Sequence, residues 1–420
     1  MDKFIVEGGA RLRGSVAISG AKNSSLALMP ACLLTGQSVV LRNTPNNRDL
    51  WTMSGLLGSM GVTSHLDADI LTLNASALTS FEAPYEFVKQ MRASIYVLGP
   101  LVARYGTARV SLPGGCNFGP RPVDLHLKGL ERLGASITVE GGYIVAECKK
   151  LVGTHFHFDV SSVGASVNII MAATLARGTT RLTNVALEPE VVSVMDMLVS
   201  MGARIQGIGT TTVEIEGVDE LRGTDFRTIP DRIEAATFML AAAMTKGDVT
   251  LTGVVPEHLS AVIDRMEDTG CTVDVGETTI RVAMDGNPIA TDITATTYPG
   301  YPTDSQAQWA AYMLTATGAS RIKDVIYPTR FGYVPELQRL GATIETGEGY
   351  AVVKGGAKLT GATVMSSDLR ASASLVMAGL VAEGTTEVLR VYHLDRGYES
   401  LEGKLGALGA NIHRVKTEEF

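Results

Sequence analysis

The sequence predicts an α/β fold built from six copies of one repeat of about 70 residues, and three observations carry that reading. A glycine-centred corner recurs at Met60-Gly61-Val62, Leu133-Gly134-Ala135, Met201-Gly202-Ala203, Thr269-Gly270-Cys271, Leu340-Gly341-Ala342 and Leu408-Gly409-Ala410, with glycines 73, 68, 68, 71 and 68 residues apart. Ahead of each corner stand a polar opening, an Ala-rich apolar stretch of helical length, a Gly-Thr-like turn and a β-branched run. Glycine is in excess, 45 of 420 residues against 15 prolines, as a fold of many short elements joined by tight turns requires.

The first repeat opens at Ala21-Lys22-Asn23, runs through an apolar stretch to Leu34-Thr35-Gly36 and continues as a strand over 38–41. The second opens at Met91-Arg92-Ala93, turns at Arg104-Tyr105-Gly106 and continues over 108–112. Val163-Gly164-Ala165 opens the third, which turns at Gly178-Thr179-Thr180, and Asp231-Arg232-Ile233 opens the fourth, which turns at Lys246-Gly247-Asp248. The fifth runs from Thr303-Asp304-Ser305 to Gly318-Ala319, the sixth from Leu369-Arg370-Ala371 to Gly384-Thr385-Thr386. Each repeat therefore reads strand, helix, strand and a second helix ending at the corner. A solenoid is the usual home of such repetition, but its repeats run to about 20–45 residues. Here, moreover, the residue opening the helix changes chemistry, from Lys22 and Arg92 through Gly164 and Arg232 to Asp304 and Arg370. Helix starts carry partial positive charge and free N–H groups, so converging them around pseudo-three-fold axes with Lys and Arg makes an anion site.

Composition excludes several classes. Thirty-six basic against 44 acidic residues leave a net charge of −8, which argues against nucleic acid or an acidic membrane as the main partner and makes any anion site a local one. The longest apolar runs, such as 95–103, fall short of the ~18–20 residues that span a bilayer, and Met1-Asp2-Lys3-Phe4-Ile5 has no apolar secretion segment, so a cytoplasmic protein is expected. Four cysteines (Cys32, Cys116, Cys148, Cys271) form no CxxC pair and no cluster with histidine, so neither a disulfide framework nor a metal site is expected. No GxxxxGK[ST] or GxGxxG follows a strand, which leaves nucleotide hydrolysis and dinucleotide chemistry without support; no cofactor is expected.

The segment 111–126, Ser-Leu-Pro-Gly-Gly-Cys-Asn-Phe-Gly-Pro-Arg-Pro-Val-Asp-Leu-His, is too rich in Gly and Pro to be helix or strand, and it holds a thiol, a guanidinium, a carboxylate and an imidazole. Cys32, Cys148 and Cys271 fit small buried positions; Cys116, near Arg121, fits a reactive thiol. Asp304 fits a helix N-cap or, lining a pocket of cations, a general base for a substrate hydroxyl. His126 fits a structural hydrogen-bonder. Arg330, Arg370 and Arg396 sit in short polar turns unsuited to simple surface charge, where forked donors match carboxylate or phosphate.

Ser19-Gly20-Ala21-Lys22-Asn23, Met91-Arg92-Ala93-Ser94, Pro113-Gly114-Gly115-Cys116 with Arg121-Pro122-Val123-Asp124-Leu125-His126, Pro230-Asp231-Arg232-Ile233-Glu234, Pro302-Thr303-Asp304 and Asp368-Leu369-Arg370-Ala371-Ser372 together resemble the enolpyruvyl transferase family, in its UDP-N-acetylglucosamine branch. The resemblance implies a two-domain inside-out α/β barrel with three repeats per domain, one domain over 22–229 and the other over 230–420 with 1–21 added. It implies transfer of the enolpyruvyl group of phosphoenolpyruvate to the 3-hydroxyl of UDP-N-acetylglucosamine, with release of phosphate, at the first committed step of peptidoglycan synthesis. By the same resemblance Cys116 donates the proton to phosphoenolpyruvate and forms a covalent adduct with it, Asp304 is the hydroxyl base and Asp368 assists proton relay. Lys22, Arg121 and Arg396 hold the phosphate, Arg330 and Arg370 the carboxylate, with Asn23 beside them. The UDP-sugar positions are Asn23, Arg92, Arg121, Pro122, Val123, Asp124, Leu125, Ser162, Val163, Gly164, Asp304 and Ile326. The family also implies alkylation of Cys116 by the epoxide antibiotic fosfomycin.

Two stretches depart from the family pattern: Val160 stands where some members carry a diphosphate-binding Lys, and Pro328-Thr329-Arg330-Phe331-Gly332-Tyr333 replaces the usual Glu-Asn-Arg-Phe-Met-His. A transferase acting on another nucleotide acceptor and a catalytically silent UDP-sugar-binding regulator are the alternatives; the second is expected to lose Cys116 or Asp304, and both are present.

Overall fold

The computed structural model describes residues 2–112 and 123–416. These form two compact units, one of 2–19 with 230–416 and one of 20–112 with 123–229. Each unit has its own hydrophobic core.

Six four-stranded mixed sheets form, three in each unit, with one pairing plan. In the sheet of Glu82–Ala83, Thr107–Ser111, Tyr143–Glu147 and Ser136–Glu140, a short edge strand runs parallel to the first long strand. That strand lies antiparallel to one arm of a hairpin whose other arm forms the far edge. Two sheets borrow their parallel edge from a distant stretch: Thr224–Arg227 joins Val39–Arg42, and Arg13–Ala17 joins Asp248–Thr252. In the sixth sheet Asp2–Glu7 sits between Thr385–Leu389 and Asn411–Lys416, taking the place of a hairpin arm. Along the strands burial alternates, one face on the helices and one toward solvent, as in Thr179–Thr183 and Ala319–Asp324.

The apolar helices lie inside. Every residue of Gln306–Met313 is buried, as are all but the first of Arg232–Met244 and all but the last of Leu369–Val381. A helix apolar all round has no solvent face, so it belongs in the middle of a layer. These three helices pack against one another, whereas a solenoid would stack its repeats in a line. In the other unit Leu98–Tyr105 packs on both Met29–Leu34 and Val163–Ala173. The repeated α/β architecture with helices inside and sheets outside is the one the sequence predicts.

The corner glycine is a helix stop. Gly61, Gly134, Gly202, Gly270, Gly341 and Gly409 have φ of 100°, 99°, 104°, 83°, 95° and 99°. At the first corner the Gly61 N–H reaches the Gly58 carbonyl at 3.0 Å and the Val62 N–H the Leu57 carbonyl at 3.1 Å, the paired bonds of a Schellman end. The same two bonds recur at all six corners. Residues following the glycine, Val62, Ala135, Ala203, Cys271, Ala342 and Ala410, are buried, so Cys271 occupies a packing slot. A Cβ at Gly134 would meet nothing within 4 Å, whereas one at Gly61 would lie 2.7 Å from the Ala77 carbonyl oxygen. Gly134→Ala is therefore expected to destabilise by only the left-handed backbone term, about 1–2 kcal/mol, and Gly61→Ala by more; urea denaturation of the two variants checks the order.

Winding departs from plain helix at three of the six openings. Pro30 lacks an N–H and crowds the carbonyl one turn back, so the first stretch is α only over Lys22–Leu28 and 3₁₀ over Met29–Leu34. The second is 3₁₀ over Arg92–Val97 and restarts as Leu98–Tyr105, which puts Pro100 in a first turn where its missing N–H has no intrahelical partner to lose. The fifth is 3₁₀ over Thr303–Ser305 before Gln306–Met313.

Candidate active site

In the unit holding 230–416, the three helix starts converge. Asp231 caps Arg232–Met244 by accepting from the Ile233 and Glu234 N–H groups at 2.8 and 3.0 Å. Asp368 caps Leu369–Val381 through the Arg370 and Ala371 N–H groups at 2.9 and 3.0 Å, which makes Arg370 the second residue of that helix. The third start is the Thr303–Ser305 turn. The Tyr398 hydroxyl lies 2.8 Å from the Thr237 hydroxyl, and Gln308 Nε2 donates to the Asp304 carbonyl at 3.0 Å and to Tyr398 Oη at 3.3 Å, so Tyr398 ties side chains of the Arg232–Met244 and Gln306–Met313 helices together.

Arg370 and Arg330 stand at this junction with Asp304. Arg330 Nη1 donates to Asp304 Oδ1 at 2.8 Å, and Arg370 Nε lies 3.7 Å from Asp304 Oδ2. The carboxylate of Asp304 thus faces two guanidinium groups, while the cap of the Thr303–Ser305 turn is Pro302, which offers no side-chain bond. Asp304 is therefore not the cap of this turn, and its carboxylate is turned to the two guanidinium groups instead. Arg370 is 2% exposed, lies over the Tyr398 ring with its guanidinium carbon 5.1 Å from the centroid, and has no hydrogen-bond partner within 3.5 Å for any of its three guanidinium nitrogens among the described residues. Burial works against its charge, but Tyr398, Asp231 and Asp304 outweigh burial and hold its pKa above the ordinary arginine value. Burial opposes the charge of Arg330 as well, and Asp304, Asp368 and Asp324 raise its pKa despite it. A buried, charged fork is suited to a bidentate anion. Arg396 ends the Val391–Arg396 turn, half-buried, and Ile326 lies half-buried in the turn after Ala319–Asp324.

In the unit holding 20–229, Lys22 begins Lys22–Leu28 and pairs with the buried Asp49 at 3.0 Å. Asn23 follows it, half-buried. Arg92, also half-buried, begins the Arg92–Val97 turn, which packs on both Lys22–Leu28 and Val163–Ala173. Ser162 caps the latter through the Ala165 N–H at 3.3 Å, with Val163 and Gly164 as its first residues. Val123, Asp124 and Leu125 open the Asp124–Arg132 helix, and Asp124 is exposed, 3.6 Å from Lys128. Asn168 binds three elements at once: its Nδ2 donates to the Ile95 carbonyl at 2.9 Å and lies 3.0 Å from His126 Nδ1, and its Oδ1 accepts the Gly99 N–H at 2.6 Å. The amide donor makes His126 Nδ1 the acceptor, so the ring is neutral with its proton on Nε2. Burial, with Arg92 nearby, lowers its pKa to about 4 despite Asp124.

Between about pH 6.5 and 4, then, the unfolded chain binds a proton at His126 that the folded chain refuses. Stability falls as the pH drops through this window, by up to about 3 kcal/mol. Melting at pH 7 and pH 5 is expected to show a smaller downward shift for His126→Gln than for the wild type.

Cys116, Arg121 and Pro122 lie outside the described residues. Of the other thiols, Cys32 and Cys271 are buried, and burial pushes both up to about 12; Cys148 is half-buried with its Sγ 3.3 Å from the Gly134 carbonyl. The reading of sequence misses Asp49, Asn168, Thr237, Gln308, Tyr398 and Thr303, which have partners far along the chain, and Asp324, which also bonds the N–H groups two and three residues on. Among the described residues no group of three or more His, Cys, Asp or Glu could hold a metal ion, and no helix is long and apolar enough to cross a membrane.

Helix starts converging on buried arginines within a six-repeat α/β frame form a candidate anion site. The family profile of EPSP synthase (3-phosphoshikimate 1-carboxyvinyltransferase) matches residues 6–405. The chain is 53% identical over 423 residues to UDP-N-acetylglucosamine 1-carboxyvinyltransferase of Chlorobium chlorochromatii (strain CaD3), with all of both chains covered. It is 53% identical over 424 residues to the protein of the same name from Chloroherpeton thalassium (strain ATCC 35110 / GB-78), covering 100% of this chain and 99% of that one. Among solved structures it superposes on the enolpyruvyl transferase NikO from Streptomyces tendae with a TM-score of 0.90 and 27% identity, covering 99% of each chain. An EPSP synthase from Acinetobacter baumannii, at 18% identity and a TM-score of 0.75, covering 99% of this chain and 100% of that one, shares the fold. The chain belongs to the enolpyruvyl transferase family.

Proposed function

We propose that this protein transfers the enolpyruvyl group of phosphoenolpyruvate to the 3-hydroxyl of UDP-N-acetylglucosamine and releases phosphate. It acts in the cytoplasm at the first committed step of peptidoglycan synthesis. The observation that carries the reading is the buried Arg370 fork beside the Asp304–Arg330 pair, on a chain 53% identical to enzymes of that name.

The reaction adds the sugar oxygen to C2 of phosphoenolpyruvate while a proton reaches its methylene carbon. Loss of a proton from that carbon then expels phosphate and restores the double bond. Asp304 accepts the hydroxyl proton; Cys116 delivers the proton to carbon, and its thiolate forms the covalent adduct. Arg330 and Arg370 take the carboxylate, Lys22, Arg121 and Arg396 the phosphate, and Asp368, fixed as the cap of the helix carrying Arg370, assists proton relay. Asn23, Arg92, Pro122, Val123, Asp124, Leu125, Ser162, Val163, Gly164 and Ile326 bind the UDP-sugar.

Acceptor choice is tested by offering UDP-N-acetylglucosamine, UMP and shikimate 3-phosphate in turn with phosphoenolpyruvate and examining the products by proton NMR. The expected product is an enolpyruvyl ether at the sugar 3-oxygen; consumption of another acceptor with UDP-N-acetylglucosamine recovered unchanged contradicts the reading. Fosfomycin is expected to label Cys116 by mass mapping and to leave Cys116→Asp unlabelled. Label on Cys32, Cys148 or Cys271 would contradict the role given to Cys116.

A further inference from the structure

We propose that Asp324 is a positioning residue, holding Asp304 and the Ile326 backbone in register through one buried carboxylate and the Thr303 hydroxyl. The inference rests on the reading above, in which Asp304 takes the acceptor's proton and Ile326 lies against the acceptor.

Ala319–Asp324 is a strand with period-two burial in which Ser320, Ile322 and Asp324 point inward, and Asp324 is 1% exposed. Burying a carboxylate is unfavourable unless its oxygens are bonded. Asp324 Oδ1 accepts from the Ile326 and Tyr327 N–H groups at 2.9 and 2.8 Å, which closes the turn after the strand, and Oδ2 lies 2.6 Å from Thr303 Oγ1. A carboxylate only accepts, so the Thr303 hydroxyl must be the donor and its lone pairs are left for Arg330 Nη1 at 3.2 Å. The second hydrogen on that Nη1 serves Asp304 Oδ1 at 2.8 Å. Each bond in the run from Asp324 through Thr303 and Arg330 to Asp304 thus has one possible direction, and the same carboxylate fixes the turn carrying Ile326.

Thr303→Val removes the hydroxyl without touching Asp304, Arg330 or the turn, and Thr303→Ser keeps it. Asp324→Asn would present an amide donor to Thr303 Oγ1, turn the hydroxyl hydrogen toward Arg330 and set donor against donor.

The test is steady-state phosphate release by the full chain with phosphoenolpyruvate and UDP-N-acetylglucosamine, with melting of each variant alongside. Thr303→Val is expected to lower kcat about tenfold, with KM for both substrates within about twofold, the split expected when a contact matters in the transition state and not in ground-state binding. Thr303→Ser is expected to stay within about twofold of wild-type kcat. Asp324→Asn is expected to lower kcat at least as far and also to raise KM for the UDP-sugar, because the Ile326 turn loosens. A folded Thr303→Val with wild-type kcat, or equal losses in Thr303→Val and Thr303→Ser, overturns the proposal. Absence of sugar-dependent turnover in the wild type overturns instead the reading on which it rests.

Discussion

Asp304→Asn is expected to reduce sugar-dependent phosphate release by about 10²–10⁴-fold, the range over which a positioned general base contributes. Asparagine keeps the shape and can still accept the Arg330 Nη1–H seen at 2.8 Å, so the fold of the junction survives. What it loses is the capacity to take up the hydroxyl proton, which resides only in the carboxylate. It also loses the negative charge facing two buried guanidinium groups, Arg330 and Arg370. Uncovering those cations strengthens the field on an incoming anion, so KM for phosphoenolpyruvate is expected to fall or hold while kcat collapses. Measuring kcat and KM separately checks both, and a rise in KM with kcat preserved would move Asp304 from proton transfer to binding.

Arg370→Gln is expected to raise KM for phosphoenolpyruvate by about 100-fold. A hydrogen bond to a charged partner contributes about 1.5–3 kcal/mol, each tenfold in affinity corresponds to about 1.4 kcal/mol, and the fork offers two parallel bonds that a neutral amide cannot reproduce. Arg370 is 2% exposed, so no nearby water compensates for the lost pair, and its helix start is held by Asp368 whichever side chain follows. The thermal shift that phosphoenolpyruvate gives the wild type in the presence of UDP-N-acetylglucosamine is therefore expected to vanish in the variant. An unchanged KM would mean that the carboxylate is bound elsewhere.

The repeat was legible because its signal is local. A glycine at each helix end answers a backbone requirement met within six residues, and the six Schellman ends sit where the corners were marked. The alanines at the equivalent corners assign Cys271 to a packing slot, and the short polar surroundings of Arg370 do not suit simple surface charge. What stayed hidden depends on partners that the fold brings together. His126 meets Asn168 from 42 residues away, and Asp304 meets Arg330 across 26, so neither the neutral ring nor the pairing of that carboxylate with a guanidinium is written at one position. The 3₁₀ winding at Pro30 and before Pro100 overrode an apolar pattern that alone suggests unbroken helix. Asp324 is a different case, since a carboxylate on the buried phase of an alternating strand is visible in the residues 319–324 as a polar group where an apolar one belongs.

In the proposed function the convergence of helix starts and buried arginines serves enolpyruvyl transfer to UDP-N-acetylglucosamine. The most direct measurement is phosphate liberated from phosphoenolpyruvate by the purified protein with and without that sugar nucleotide. One phosphate released per sugar nucleotide converted, and none in its absence, is the predicted result. Phosphate released without the sugar nucleotide, or none released with it, would contradict the account.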